Sequence, residues 1–113
     1  NRQAVRSLLE TFRSDGKVVA GYGAPAKGNT LLNYCGIDTE LVSYTVDQNP
    51  LKVGHYTPGT PLPVLPVSTL RERQPDFAFI LAWNIEEEIR RQQRDYTDAG
   101  GRFIIPIPEP RVT

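Results

Sequence analysis

Methionine, cysteine and histidine are scarce in this chain, which has no methionine, one cysteine and one histidine. Without methionine, the sequence is expected to be a piece of a longer protein. Cys35 has no partner for an internal disulfide, which favours a reducing, cytoplasmic location. His55 has no cysteine or second histidine near it in the sequence, so it does not predict a metal site.

Long apolar runs and an excess of charge of one sign are also absent. No run approaches the roughly 20 apolar residues that cross a bilayer, so no membrane partner is expected. Thirteen basic residues balance thirteen acidic ones. Because proteins that bind nucleic acids or acidic membranes have an excess of basic residues, no nucleic-acid partner is expected. A chain of 113 residues is long enough for one hydrophobic core. We therefore predict a single domain over residues 1–113, in which residues 1–15 form a leading helix.

The chain does contain a regular alternation of strand-like and helix-like segments. Apolar segments predict five strands, at residues 17–22, 41–46, 64–65, 77–82 and 103–107, before a proline-rich tail. Helical patterns lie at residues 1–15, 25–36, 68–75 and 84–96. This order predicts an α/β fold: a three-layer, Rossmann-like domain of about five mainly parallel strands in the order 3-2-1-4-5, with helices on both faces.

Two helix details follow from local sequence. Ser68 or Thr69 is predicted to cap the helix after the third strand. Asn84 is predicted to cap one continuous helix after the fourth strand, which buries Tyr96 and leaves Arg90 in solvent.

The most informative segment is the glycine-rich turn after the first predicted strand. Gly21 and Gly23 let the backbone approach a ligand, and Pro25 opens a helix whose first N–H groups attract anions. Lys27 adds a positive charge to the same corner. The segment matches neither the G-x-G-x-x-G fingerprint nor a P-loop, because the third glycine stands at position 28 and no lysine follows it. A phosphate site and a tight turn without a ligand both remain open.

Further polar positions follow strands whose carboxyl ends share one edge, where open α/β folds bind ligands. Asp47 either accepts hydrogen bonds from a ribose or caps the Asn49–Pro50 turn. Trp83 either stacks on a base or packs against a helix. The proline-rich loop at residues 58–64 either presents Thr60 to a ligand or only connects two strands. These residues form no catalytic set, so on residues alone the chain is predicted to be a binding domain.

Three segments together resemble the C-terminal domain of bacterial S-adenosylmethionine-dependent sugar C-methyltransferases. They are GYGAPAKGNTLLNYCGI (residues 21–37), YTVDQNPLKVGHYTPGTPLPV (44–64) and PDFAFILAWN (75–84). The similarity extends over residues 17–108, in order and with similar spacing. Enzymes of this family have an N-terminal zinc-binding domain, a central methyltransferase domain and a Rossmann-like C-terminal domain.

The resemblance implies a function. Enzymes of this family methylate a carbon of a nucleotide-linked keto-deoxysugar, and their C-terminal domain helps to hold that substrate. The chain is thus expected to be this domain, inactive alone, with the central methyltransferase domain of the same polypeptide as its partner. The expected ligand is a sugar linked to a nucleotide, in particular thymidine diphosphate. S-adenosylmethionine and a zinc ion are expected in the other domains, together with the catalytic base.

The same resemblance implies which residues bind the substrate. The phosphate-side turn would contain Gly21, Tyr22, Gly23, Lys27, Gly28, Asn29 and Thr30. The other two motifs contribute Asp47, Asn49, Lys52, Pro58, Gly59, Thr60, Trp83 and Asn84. Two alternatives remain: a Rossmann domain that binds S-adenosylmethionine or NAD itself, and a structural or assembly module that binds no ligand.

Overall fold

A six-stranded sheet forms the centre of the protein in the computed structural model, which describes residues 2–23, 35–57, 61–81, 86–105 and 111–113. The strands are β1 (Val19–Tyr22), β2 (Thr45–Asp47), β3 (Val64–Pro66), β4 (Phe77–Ile80), β5 (Arg102–Ile105) and β6 (Arg111–Val112). Their order is β3-β2-β1-β4-β5-β6. The first five are parallel, which confirms the predicted α/β fold and its strand order 3-2-1-4-5.

Four helices are described beside the sheet. They are α1 (Arg2–Ser14), α2 (Ser68–Arg73), α3 (Glu86–Gln92) and α4 (Arg94–Asp98). Within the described ranges, no helix has the length and apolar character that crossing a bilayer requires.

The sheet has a hydrophobic core on each face because side chains alternate along its strands. Along β4, Phe77 and Phe79 belong to one core, and Ala78 and Ile80 belong to the other. A strand covered on both faces reads as a continuous apolar run, which is why this segment was recognisable in the sequence. The two cores confirm the three-layer arrangement with helices on both faces.

Helix α1 covers the first face. Leu9 is fully buried, and the ring of Phe12 stacks on that of Phe77 with centroids 4.0 Å apart. Arg6, on the same helix, donates a hydrogen bond to the carbonyl of Gly36. Gly36 has a φ of +66°, the conformation expected of a glycine that ends a helix. The start of that predicted helix, at residue 25, lies outside the described residues.

Helices α2, α3 and α4 cover the second face with Leu70, Ile89 and Tyr96, all of them buried. The Tyr96 hydroxyl donates a hydrogen bond of 2.9 Å to the carbonyl of Pro75. Its ring lies directly against Gly101, where an added Cβ would come within 2.3 Å of a ring carbon. Glycine at this position therefore lets the chain enter β5 beside a buried aromatic ring.

Strand β2 is shorter than predicted. It begins at Thr45 instead of residue 41, because the carbonyl of Asp38 accepts hydrogen bonds from the N–H groups of Leu41 and Val42. The apolar residues 41 and 42 are buried, but they lie in this turn and not in the sheet. The strand was predicted from the apolar, β-branched and aromatic residues of this segment, and buried residues of a turn share that composition.

The predicted cap of α2 is wrong. Ser68 and Thr69 are both inside the helix, and the N-cap position is Val67, which makes no side-chain hydrogen bond. Val67 already has helical backbone angles, with φ −56° and ψ −34°. The chain thus turns from β3 directly into the helix, without the extended residue that a capping side chain requires.

The predicted helix through residues 84–96 is also wrong as a single element. It is interrupted at Gln93, where φ is −108° and ψ is 34°, so that α3 ends at Gln92 and Tyr96 belongs to α4. Arg90 is half-buried, contrary to prediction, with its guanidinium 5.5 Å from the ring centroid of Phe103. The predicted cap at position 84 lies outside the described residues.

The sixth strand was not predicted. β6 pairs antiparallel with β5, and the N–H of Thr113 donates to the carbonyl of Phe103 at 2.9 Å. The fifth strand was expected to be the last one, followed by a proline-rich tail. Residues 111–112 instead extend the sheet at that edge.

Alkaline pH is expected to destabilise the protein through Tyr96. Burial raises the pKa of this hydroxyl above the ordinary 10.0, so above about pH 10 the unfolded state loses its proton first and the free energy of unfolding falls. Tyr96→Phe should reduce the slope of the free energy of unfolding against pH by up to about 1.4 kcal/mol per pH unit. Urea unfolding at a series of pH values measures both slopes, and equal slopes would contradict the assignment.

Candidate functional site

The carboxyl edge of the parallel sheet brings the first two predicted motifs together. Tyr22 ends β1 and Asp47 ends β2, and the two strands are neighbours with Tyr22 paired to Val46. β4 ends on the other side of β1, where the N–H of Leu81 donates to the carbonyl of Tyr22. The chain therefore leaves β1, β2 and β4 at adjacent points of one rim, which we call the carboxyl rim.

In the glycine turn, the backbone N–H groups of Gly21 and Gly23 form hydrogen bonds with the neighbouring strand. The N–H of Gly21 donates to the carbonyl of Tyr44 at 2.7 Å, and that of Gly23 to the carbonyl of Val46 at 2.6 Å. Gly23 has a φ of +97°, which an L side chain rarely adopts. The turn thus needs glycine at position 23 for its direction, while the N–H groups of these two glycines already have partners within the protein.

Gly21 is required by packing. A Cβ at this position would lie 2.8 Å from Oγ1 and 3.0 Å from Cβ of Thr45. The buried Thr45 hydroxyl donates to the carbonyl of Gly23 at 2.7 Å, so this side chain is fixed by the turn itself. Gly21, Gly23 and Thr45 thus depend on one another. Gly21 leaves room for the Thr45 hydroxyl, and this hydroxyl holds the turn at Gly23 by a hydrogen bond.

Tyr22 places its hydroxyl among amide side chains of the second face. Nε2 of Gln93 donates to it at 3.2 Å. Burial raises the pKa of the Tyr22 hydroxyl, and the amides of Gln93 and Gln48 lower it by a smaller amount. The hydroxyl is therefore protonated at neutral pH and available as a hydrogen-bond donor.

Asp47 holds the turn that follows β2. Its Oδ1 accepts a hydrogen bond of 2.8 Å from the N–H of Asn49, and Oδ1 of Asn49 accepts one of 3.0 Å from the N–H of Leu51. The carbonyl of Asn49 also accepts the N–H of Lys52 at 3.0 Å. Two consecutive side-chain turns thus fix residues 47–52 at the rim. This geometry agrees with the capping role considered for Asp47 and leaves its predicted contact with a ribose open.

Three glutamines connect the rim to the helices. Gln48 stands beside Asp47 in the polar segment that the sequence indicated, whereas Gln92 and Gln93 were not predicted to take part. Nε2 of Gln48 donates to Oε1 of Gln92 at 2.7 Å, which joins the end of β2 to the end of α3. Gln93, at the break between α3 and α4, reaches Tyr22. Only the adjacent glutamines in a helix otherwise rich in charge marked this place in the sequence.

The remaining predicted site residues lie outside the part of the chain that the structure describes, and their assignment stays a prediction. They are Lys27, Gly28, Asn29, Thr30, Pro58, Gly59, Thr60, Trp83 and Asn84. Within the described ranges, no three histidine, cysteine, aspartate or glutamate side chains group together as metal ligands.

A family model and a curated protein both match this chain. The family model described as "C-methyltransferase C-terminal domain" matches residues 1–108. The C-methyltransferase NovU of Streptomyces niveus is 41% identical over 111 residues, which are 98% of this chain and 26% of that protein. The chain thus spans about a quarter of the length of this curated relative.

The close fit of Gly21 and Thr45 gives a test by double substitution. Gly21→Ala should destabilise the fold by about 1–3 kcal/mol through overpacking. Thr45→Ala should also destabilise it by about 1 kcal/mol, because the buried hydrogen bond to the turn is lost. The double variant should lose less free energy of unfolding than the two single variants do in sum, because Thr45→Ala removes the oxygen nearest the new Cβ. Chemical denaturation of the four proteins measures this; full additivity would contradict the packing role.

Proposed function

Since the chain belongs to the C-methyltransferase C-terminal domain family, we propose that it binds the nucleotide-linked sugar substrate of an S-adenosylmethionine-dependent C-methyltransferase. The substrate is a keto-deoxysugar carried on thymidine diphosphate. The partner of the chain is the central methyltransferase domain of the same polypeptide, and the chain alone is inactive. This arrangement agrees with the described residues of the carboxyl rim, 21–23 and 47–52, which carry polar groups and no recognisable catalytic set.

The observation that carries the proposal is the reversal of strand order at β1. From β1 the chain continues to β2 and β3 on one side of the sheet, then crosses to β4 and β5 on the other. Ligands of open α/β sheets bind in the crevice at the carboxyl ends of the strands where the order reverses. β1 and β4 are direct neighbours with Tyr22 paired to Ile80, so the segments after both strands begin at this crevice.

The predicted ligand residues follow these two strands in the sequence. Gly23 directs the chain out of β1, and Lys27 comes four residues later. Trp83 and Asn84 come shortly after β4. We propose that Lys27 and the N–H groups of the residues near it neutralise the diphosphate, while Trp83 packs on the base or the sugar. The amides of Gly21 and Gly23 contribute to the shape of the turn instead of to the phosphate contacts, because they are already bonded to β2.

The chemistry of such an enzyme divides between its domains. Removal of a proton from the carbon beside the ketone would give an enolate. S-adenosylmethionine, held elsewhere in the polypeptide, would supply the methyl group that this carbon receives and would leave as the neutral thioether S-adenosylhomocysteine. We place the methyl donor, the catalytic base and a zinc ion in other parts of the polypeptide. This chain acts by holding the sugar in one orientation. Orientation of a bound reactant lowers a barrier by several kcal/mol in favourable cases, with an upper range of about 7–11 kcal/mol.

One observation favours a second candidate function, in which the chain binds S-adenosylmethionine or NAD itself. Asp47 stands at the end of the second strand, where dinucleotide-binding folds carry an acid that accepts hydrogen bonds from a ribose. The engagement of its Oδ1 by the N–H of Asn49 supports the turn-forming role and makes this the weaker candidate.

Ligand titration separates these candidates. Thymidine diphosphate added to the ¹⁵N-labelled chain should shift the amide resonances of residues 21–23 and 47–52 in a saturable way, and S-adenosylmethionine or NAD should not compete. Competition by either adenosyl ligand would favour the second candidate. Unchanged resonances with all three ligands at millimolar concentration would favour a structural module that binds none of them.

A matched pair of lysine substitutions tests the site in the longer enzyme. Lys27→Ala should raise KM for the nucleotide-linked sugar about tenfold, the effect of losing about 1.4 kcal/mol of binding, with a smaller change in kcat. Lys17→Ala removes the same charge before β1, at the opposite edge of the sheet, and should leave KM unchanged. Steady-state kinetics measures both; equal values of KM for Lys27→Ala and the unaltered enzyme would contradict the proposal.

A further inference from the structure

A cleft of about 520 Å³ opens at the amino edge of the sheet, opposite the carboxyl rim. Val18 precedes β1, Tyr44 precedes β2, Pro63 precedes β3 and Asp76 precedes β4, and all four line the cleft. Strands of three or four residues separate the two edges by roughly 10–13 Å. The cleft is thus a place distinct from the proposed sugar-nucleotide site, with a volume in the range of small-molecule sites.

Tyr44 is the unusual residue of this cleft. Only 4% of it is exposed, and its hydroxyl has no hydrogen-bond partner among the residues that the structure describes. Burial raises the pKa of the hydroxyl, although the nearby charge of Arg73 lowers it. The group is therefore protonated at neutral pH, a buried donor without an acceptor. Such groups are rare because an unmade buried hydrogen bond destabilises the fold.

Arg73 provides a positive charge beside this donor. Its guanidinium lies 5.2 Å from the centroid of the Tyr44 ring, and it forms no ion pair with a carboxylate of the described ranges. Asp76 lines the same cleft, but its Oδ2 already accepts the N–H of Val18 at 2.8 Å. A phenolic donor without an acceptor and a cation without an anion thus occur together.

The remaining walls of the cleft limit the kind of anion. Val18 is 46% exposed, and Pro63, Leu65 and Pro75 add further apolar surface. A carboxylate at position 76 repels a ligand with two negative charges. The lining therefore suits one negative charge on an apolar body better than a phosphate.

We propose that this cleft binds a small apolar carboxylic acid in its ionised form. The Tyr44 hydroxyl is closed to solvent, so the ligand reaches it when the Arg73 side chain, which lies over the Tyr44 ring, moves aside. One carboxylate oxygen then accepts the hydrogen bond of this hydroxyl, and the Arg73 guanidinium pairs with the same group. The apolar body lies against Val18 and Pro63. Arg73 is exposed, so it turns from the ring to the ligand at the loss of only a weak cation–π contact. This proposal does not depend on the sugar-nucleotide function, because it concerns the other edge of the sheet.

Benzoate is the probe for the test, with benzyl alcohol and inorganic phosphate as controls. Titrated into the ¹⁵N-labelled chain, benzoate should shift the amide resonances of Val18, Tyr44 and Arg73 with one saturable curve, and those of residues 47–52, at the carboxyl rim, should not follow it. Neither control should produce these shifts at the same concentration. Equal shifts with phosphate, or no saturable shift with benzoate at millimolar concentration, would overturn the proposal.

Three variants identify the contacts. Tyr44→Phe removes only the unpartnered hydroxyl, so it should leave the melting temperature equal or higher while weakening benzoate binding about tenfold. Arg73→Gln should weaken binding by at least as much. Arg71→Gln is the matched control, because Arg71 carries the same charge on the same helix and does not line the cleft. Unchanged binding to Tyr44→Phe, or equal losses in both arginine variants, would overturn the proposed contacts.

Discussion

The close approach of β1 to β2 is the constraint on which the rest of the structure depends. Gly21 leaves the space that Thr45 occupies, and the Thr45 hydroxyl holds the carbonyl of Gly23 where the chain turns out of the sheet. β1 is the central strand of the parallel set, paired on both sides. Its geometry therefore determines the direction in which the chain leaves the sheet at the crevice between β1 and β4.

The strand order and the two cores were predictable because they depend on patterns that the chain repeats. Alternating apolar strands and helices allow few right-handed parallel arrangements, and the run at residues 77–80 has buried side chains on both faces. The importance of Gly21 and Gly23 was also visible. The reason for Gly21 was not, because the contact with Thr45 joins residues 24 positions apart that only the register of two strands brings together.

The incorrect predictions for the helix, the sixth strand and the cap also depend on features that the local sequence does not show. A local pattern predicted one helix up to Tyr96, but the backbone breaks at Gln93, whose side chain bonds to Tyr22 some 71 residues away. Strand β6 depends on pairing with β5, and two residues carry no periodic signal of their own. The predicted cap of α2 failed because Val67 has helical backbone angles, so no capping side chain was needed. In each case, a tertiary contact or a backbone angle outweighed the structural preference of the local sequence.

The two edges of this sheet differ in how their polar groups are satisfied. At the carboxyl rim, Asp47 bonds to the N–H of Asn49, and the side chains of Gln48 and Tyr22 bond to those of the helix residues. If the rim binds a ligand, as proposed, these bonds hold its polar groups in place beforehand, which reduces the entropy lost on binding. At the amino edge, the Tyr44 hydroxyl lacks a partner among the residues that the structure describes. An unsatisfied buried donor favours unfolding, and a ligand that supplies the acceptor removes that penalty. Binding there would stabilise the fold, whereas binding at the rim would mainly use a geometry that already exists.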